Sequence, residues 1–166
     1  MAFGRILIFC VLLFSPLLPA QAATAPISDA AALKGVKDGK GVFLIDFSDA
    51  KKTAFYLEII KGTHAGLTRQ GVKPDFVIVY IGPTVRFLTT APDGELELEQ
   101  GDALNAIADR VKELDQLGVR QEICAIATKV FKVPNETVLP SLKLVGDGFI
   151  SLIGWQTQGY KLIPLF

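Results

Sequence analysis

The 166-residue sequence has little of what most catalytic motifs require: two cysteines, one histidine and one tryptophan. It contains no Cys-x-x-Cys pair, so a dithiol redox cycle within one chain is excluded. Glycine-rich phosphate-binding motifs and the residue clusters that bind metals are absent too, so we expect neither an organic cofactor nor a metal. Basic and acidic residues number 17 each, and no positive excess points to nucleic acid or an anionic membrane.

The N-terminus has the pattern of a secretory signal peptide. Arg5 precedes an apolar run over residues 6–18, and Ala20-Gln21-Ala22 matches the small-x-small cleavage pattern. We expect cleavage after Ala22, which places the mature protein in the periplasm or outside the cell, without a membrane anchor. An uncleaved anchor is the alternative, although the apolar run is short for a membrane span. Cleavage removes Cys10 and leaves Cys124 as the single cysteine of an exported chain.

The mature chain alternates strand-like and helix-like segments. After a lead-in over residues 23–40, this alternation predicts one α/β domain over residues 41–166. The strands are nearly continuous apolar runs, which is typical of parallel strands covered on both faces. We therefore predict a three-layer α/β/α sandwich with a mostly parallel sheet of about five strands. The predicted strands are 41–47, 76–81, 119–123, 142–145 and 160–163. We also predict a turn over 37–41, an exposed acidic loop over 91–101 and a helix capped by Asp102.

The most informative stretch is 117–129, where a short strand gives way to a helix at Cys124. The start of a helix presents unpaired N–H groups and the positive end of a dipole, and both favour a thiolate over a thiol. Cys124 is therefore the candidate nucleophile, although free cysteine is also often a small buried hydrophobe. His64 falls on the first predicted helix, away from the strand ends, so a cysteine–histidine pair is not expected.

Residues that follow the other predicted strands supply candidate ligand contacts, because sites in open parallel sheets gather at the carboxyl ends of the strands. Gly82 and Gly146 allow a backbone to approach a ligand closely. We expect Pro83 to shape a ligand pocket together with these two glycines. Thr84 offers a hydroxyl and Asp147 offers a hydrogen-bond acceptor. Each of these residues also has a plain interpretation as a turn former.

Several motifs together resemble the DsrE/DsrF-like family, over about residues 41–164. The motifs are Gly82-Pro-Thr-Val-Arg-Phe-Leu88, Leu117-Gly-Val-Arg-x-x-Ile-Cys124-Ala, Leu139-Pro140, Gly146-x-Gly148-Phe-Ile-Ser-Leu-Ile-Gly154 and Gln158-Gly-Tyr160.

The resemblance implies a compact α/β/α sandwich that assembles as a homo-oligomer, often a trimer or hexamer. It also implies that Cys124 matches the cysteine that carries sulfur as a persulfide, with a small sulfur compound or a partner sulfur-transfer protein as donor and acceptor. Known relay members act on transfer RNA in the cytoplasm, a role that we do not expect of a chain with a signal peptide. Two alternatives stay open: a non-catalytic oligomeric scaffold or small-ligand-binding module with a structural cysteine, and a thiol redox sensor.

Overall fold

The computed structural model describes residues 27–165, so the predicted signal peptide lies outside the described residues. The described chain alternates strands and helices along its length. In order, the elements are β1 (Asp38–Ile45), α1 (Ala50–Arg69), β2 (Lys73–Tyr80), a 3₁₀ helix (Gly82–Phe87), α2 (Gly94–Gln116), β3 (Arg120–Cys124), α3 (Ala125–Val130), a second 3₁₀ helix (Asn135–Thr137), β4 (Lys143–Val145), α4 (Gly148–Thr157) and β5 (Lys161–Ile163).

The five strands form one parallel sheet in the order β4-β3-β2-β1-β5. The central strand β2 is buried over its last five residues, as its apolar, β-branched sequence predicts for a strand covered on both faces. The prediction of an α/β sandwich with a parallel sheet of about five strands is confirmed. All four pairings are parallel, so the strands' carboxyl ends lie along one edge of the sheet.

Two neighbouring side chains of β3 show how the layers are arranged. Successive strand residues point to opposite faces. Gln121 Nε2 donates to the backbone oxygen of Val111 in α2 (2.8 Å), whereas Glu122 accepts from Trp155 Nε1 of α4 (3.0 Å). Helices α2 and α4 therefore cover opposite faces, and α1 packs beside α2. The sheet lies between these two helical layers.

The α2 side of the sheet contains a buried polar pair within the apolar core. Tyr80 is fully buried, and its hydroxyl donates to Gln121 Oε1 (2.8 Å). Burial raises the pKa of Tyr80, so the phenol stays protonated and remains a donor. The pair therefore satisfies its polar atoms inside the core and joins β2 to β3 through side chains as well as backbone.

The predicted acidic loop over residues 91–101 is wrong, because α2 begins at Gly94. The side chain of Asp93 caps this helix by accepting from the N–H groups of Glu95 (3.1 Å) and Leu96 (3.4 Å). Leu96 is buried, and acidic residues in a first turn suit the helix dipole. The cap predicted at Asp102 is wrong for the same reason. The backbone at Gln100 is non-helical and kinks α2, so Asp102 lies just after the kink, inside this helix and not at its start.

The turn predicted over residues 37–41 is also wrong, because β1 already begins at Asp38. Its two glycines suggested a turn, but both lie within the strand. A Cβ at Gly39 would lie 2.7 Å from Leu67 Cδ1 of α1, and one at Gly41 would lie 3.5 Å from the rings of Phe43 and Phe76. The missing side chain of Gly39 leaves room for Leu67, whereas a Cβ at Gly41 would only make an ordinary van der Waals contact with the rings.

Candidate functional site

Cys124 ends β3 at the carboxyl edge of the sheet, where it pairs with Val145 of β4. The thiol is buried, with 5% of the residue exposed. Its Sγ accepts the backbone N–H of Gly148, the first residue of α4, at 3.2 Å. Cys124 is the N-cap residue of α3, as expected, but its side chain makes no capping hydrogen bond to that helix. The N–H that reaches the sulfur comes from α4, which follows β4.

Gly148 lies close against the sheet. A Cβ built on it would lie 2.6 Å from Ile81 Cγ2, 3.2 Å from Cys124 Cβ and 3.4 Å from Val79 Cγ1. The first of these distances is shorter than real Cβ contacts, so only glycine fits without a shift of its neighbours. The missing side chain lets the positive end of the α4 dipole lie directly against the sulfur.

Asp147 is the N-cap residue of α4. Its Oδ1 accepts from the N–H of Phe149 (2.8 Å), so the carboxylate stabilises the start of its own helix. Gly146, just before it, is exposed, and a Cβ there would point into open space. Together these residues form the short connection from β4 to the helix that caps Cys124.

Gly82 lies at the same edge of the sheet, after β2, and has a positive φ of 56°. A Cβ on it would meet Asp46 Oδ1 at 1.8 Å, so the carboxylate after β1 occupies the space beside this glycine. Pro83 follows in the first turn of the 3₁₀ helix. Asp46 was not singled out from the sequence, because it falls inside the predicted strand 41–47, whereas β1 ends at Ile45.

Thr84 is fully buried. Its Oγ1 accepts from the N–H of Phe47 (2.5 Å) and donates to the oxygen of Phe47 (2.9 Å). The hydroxyl therefore joins the end of β1 to the 3₁₀ helix after β2. Of the residues singled out from the sequence, Cys124 and Asp147 come together through α4, while Gly82 and Thr84 contact the segment after β1.

Glu122, which the sequence analysis also missed, lies on the face of the sheet that α4 covers. It is 5% exposed, and Oε2 accepts from Trp155 Nε1 (3.0 Å) and from the hydroxyl of Ser151. A signal was available in the sequence. An acidic residue two positions before Cys124 in the same predicted strand must share its face, and under a covering helix it needs a partner.

Further along the same face, Arg120 donates to Asp75 and to the hydroxyl of Tyr160, and its guanidinium lies 4.8 Å from the centre of the Trp155 ring. Tyr160 in turn donates to Asp75 Oδ2 (2.8 Å). Partial burial works to raise the pKa of Asp75, but the Tyr160 hydroxyl and the Arg120 guanidinium outweigh it and hold this pKa below its usual range. This network fixes the far end of α4 to the sheet.

His64 lies on α1, with its ring centre 5.9 Å from that of Phe76. Phe76 is four residues before the end of β2, about 13 Å along the strand from the carboxyl edge, so the imidazole is remote from Cys124. Within residues 27–165 there is no group of three or more side chains placed to bind a metal ion. The same part of the chain contains no helix long and apolar enough to cross a bilayer.

The fold and the site define a class of protein: a parallel α/β sandwich with one buried cysteine at the carboxyl edge of its sheet, under the N-terminus of a helix. The chain belongs to the DsrE/DsrF-like family, whose model matches residues 40–165. Membership associates it with proteins of the sulfur-relay type.

Two solved structures have the same fold. The protein of unknown function MTH1491 from Methanobacterium thermoautotrophicum is 19% identical, with a TM-score of 0.58 over 77% of this chain and 97% of its own. The ychN protein from E. coli is 12% identical, with a TM-score of 0.51 over 79% of this chain and 99% of its own. At these identities the likeness concerns the fold alone. No curated protein matches the sequence.

Proposed function

We propose that the protein is an exported sulfur carrier in which Cys124 accepts a sulfur atom and passes it on. The observation that carries this proposal is the hydrogen bond from the Gly148 N–H to Cys124 Sγ, in a member of a family of the sulfur-relay type. The bond lies at the carboxyl edge of a parallel sheet, where sites of such folds gather. Donor and acceptor are small sulfur compounds or a partner sulfur-transfer protein, and the step needs neither metal nor organic cofactor.

The transfer is a thiolate exchange in which atoms and electrons balance. The Cys124 thiolate attacks the outer sulfur of a donor persulfide, R–S–SH, and a new S–S bond forms while the donor's S–S bond breaks. The electron pair leaves on R–S⁻, and Cys124 becomes the persulfide. An acceptor thiolate then removes that sulfur by the same exchange. The Gly148 N–H stabilises negative charge on Sγ when the sulfur attacks and when it leaves.

Burial of the thiol sets a condition on this chemistry. With Cys124 5% exposed, a donor reaches Sγ only after the first turn of α4 moves away. The connection before that turn contains the exposed Gly146, where even a Cβ would have no atom within 4 Å. We therefore expect uptake of sulfur to be slower than for a thiol on the surface.

The sulfur-uptake experiment uses the mature protein, a polysulfide donor and intact mass spectrometry. The proposal expects the wild type to gain the mass of one sulfur atom, and the gain to disappear in Cys124→Ser. Equal gain in both proteins, or no gain in the wild type, would refute the role of Cys124.

Burial of Cys124 favours a second candidate, a non-catalytic module in which the cysteine is only a packing residue. Alkylation with a small reagent separates the two. A structural cysteine reacts only when the whole domain unfolds, so its rate follows the global unfolding equilibrium measured in denaturant. A carrier cysteine reacts faster than that limit, through local opening of α4.

We also propose that the carrier is a homo-oligomer, a trimer or hexamer, assembled through the outer face of α4, so that movement of its first turn off Cys124 takes place together with a rearrangement of this interface. Three large apolar residues of this helix, Phe149, Ile150 and Ile153, are more than 60% exposed, and none of its ten residues is charged. Exposed apolar side chains and few charges are typical of the core of an interface. Light scattering after size exclusion should give an oligomer for the wild type and for Leu98→Lys on α2, and a smaller species for Ile150→Lys.

We propose a location in the periplasm or outside the cell, and the support for it is the signal-peptide pattern of residues 1–22. Expression of the full chain in a bacterium, followed by fractionation and N-terminal sequencing, tests it. The proposal expects the protein in the periplasmic fraction or the medium, beginning at Ala23. An intact N-terminus in the cytoplasm would contradict it.

A further inference from the structure

We infer that Glu122 is a positioning residue that holds α4 over Cys124 and so controls access to the thiol. The inference rests on the proposed function only in taking Cys124 as the reacting group. Glu122 acts through α4: its carboxylate binds the helix, and the first residue of that helix binds the sulfur.

The environment of Glu122 supports this role. A buried carboxylate lowers stability unless its oxygens find donors. Both donors here come from α4, namely Trp155 Nε1 at 3.0 Å and the Ser151 hydroxyl. The residue is 5% exposed, so its carboxyl group is tied to one position of the helix. Any movement of α4 away from the sheet must leave this carboxylate short of partners.

The spacing of the contacts shows that one stripe of α4 lies along one face of β3. Alternate strand residues Arg120, Glu122 and Cys124 point to this face, about 7 Å apart. Arg120 contacts Trp155, Glu122 contacts Ser151 and Trp155, and Cys124 contacts Gly148. The contacts therefore run in reverse order along the helix. Residues three and four apart share one side of a helix. Glu122 is thus the middle of three anchors, and the next one along the strand is the sulfur.

The fit at Gly148 explains why this anchor matters for chemistry. The start of α4 has no room even for a Cβ, which would lie 2.6 Å from Ile81 Cγ2. An additional atom on Cys124 Sγ, whose present neighbour is the Gly148 N–H at 3.2 Å, requires the first turn of α4 to move. The bonds of Glu122 to Ser151 and Trp155 oppose this movement. They keep the unmodified thiol covered and favour return of the helix after the sulfur has left.

The first test measures the alkylation rate of Cys124 by iodoacetamide, below the denaturant concentrations that unfold the domain. Glu122→Gln weakens the carboxylate's bonds to α4, and Ser151→Ala removes one donor without changing β3. We expect Glu122→Gln to react about tenfold faster than the wild type, equivalent to about 1.4 kcal/mol in the opening equilibrium. Ser151→Ala should lie between them.

The matched control is Ile107→Val or Ile107→Ala, whichever has the same Tm as Glu122→Gln. Ile107 is fully buried in α2, on the other side of the sheet. A structural role of Glu122 predicts equal alkylation rates for the two variants at equal Tm, and that result would overturn the inference. A faster rate in Glu122→Gln alone supports it. If Glu122→Gln fails to fold, the same comparison of alkylation rates is made between Ser151→Ala and the Ile107 variant that matches its Tm.

A second readout uses Trp155, the single tryptophan of the chain. Because its indole N–H binds Glu122, movement of α4 changes its surroundings directly. Alkylation of wild-type Cys124 should shift the emission of Trp155 to longer wavelength, while Cys124→Ser treated in the same way should show no shift. An unchanged emission in the alkylated wild type would contradict coupling between the thiol and α4.

These readouts are independent of sulfur transfer, so the two proposals fail separately. If wild-type protein takes up no sulfur but Glu122→Gln alkylates faster than its control, the positioning role stands and the carrier role is refuted. If sulfur is taken up but Glu122→Gln alkylates like its control, only the positioning role is refuted.

Discussion

Replacing Gly148 by alanine is the sharpest perturbation of the contact between α4 and Cys124. The substitution adds one methyl group at the first residue of α4 and keeps the backbone N–H that binds Sγ. The added Cβ would lie 2.6 Å from Ile81 Cγ2 and 3.2 Å from Cys124 Cβ. Because Ile81 and Cys124 are both buried in the core, the strain is relieved chiefly by moving the start of α4 outward.

The expected loss of stability follows from two opposing effects. Overpacking a close-packed core costs about 1–3 kcal/mol. The better helix propensity of alanine returns less than about 1 kcal/mol, because Gly148 is in the first turn and not in the helix interior. We therefore expect the free energy of unfolding to fall by roughly 1–2 kcal/mol, which for a domain of this size lowers Tm by roughly 3–8 °C.

Urea unfolding and Cys124 alkylation, measured together, give the assay. Gly154→Ala in the same helix is the matched control, because a Cβ there points into open space, and it should leave the protein as stable or slightly more so. Gly148→Ala should be less stable and its thiol more reactive. Ile81→Ala removes the clashing methyl, so the two substitutions together should show a favourable coupling of about 0.5–3 kcal/mol. Gly148→Ala with wild-type stability and thiol reactivity would refute the close approach.

Two further predictions concern polar groups away from the thiol. The pKa of Asp75 is lowered in the folded protein, so its interactions stabilise the fold fully above the ordinary aspartate pKa of 3.8 and are lost as the pH falls through the folded pKa. Urea midpoints measured across this pH range should therefore depend less on pH in Asp75→Asn than in the wild type. An unchanged dependence would contradict the network. Tyr80→Phe leaves buried Gln121 Oε1 without its donor and should lower the free energy of unfolding by about 1–3 kcal/mol; an unchanged urea midpoint would show that the bond contributes little.

The parts of the fold that follow from local pattern could be predicted from the sequence. The apolar run before Tyr80 predicts a central strand, and Asp49 marks the start of α1, whose N-cap it forms. The start of α2 at Gly94 could not be predicted in this way. Its first turns are acidic and follow a Pro-Asp-Gly turn signal, and only the burial of Leu96 against the core shows that they form a helix.

The site shows the same division between local and long-range information. The position of Cys124 at the end of a strand follows from the sequence around it. Its hydrogen-bond partner does not, because Gly148 reaches the sulfur only through the pairing of β4 beside β3. Glu122 lies between these cases. Its face follows from the strand period, whereas its partners Ser151 and Trp155 depend on where α4 packs.

The most direct test of the central claim, that Cys124 carries sulfur, is a transfer measurement on loaded protein. Mature protein is loaded with polysulfide, freed of excess donor and mixed with an acceptor thiol, and its intact mass is followed with time. The account predicts that the mass of one sulfur atom, present on wild type and absent from Cys124→Ser, is lost as the acceptor persulfide appears. A wild-type protein that never gains this mass, or gains it and does not release it to the thiol, would contradict the claim.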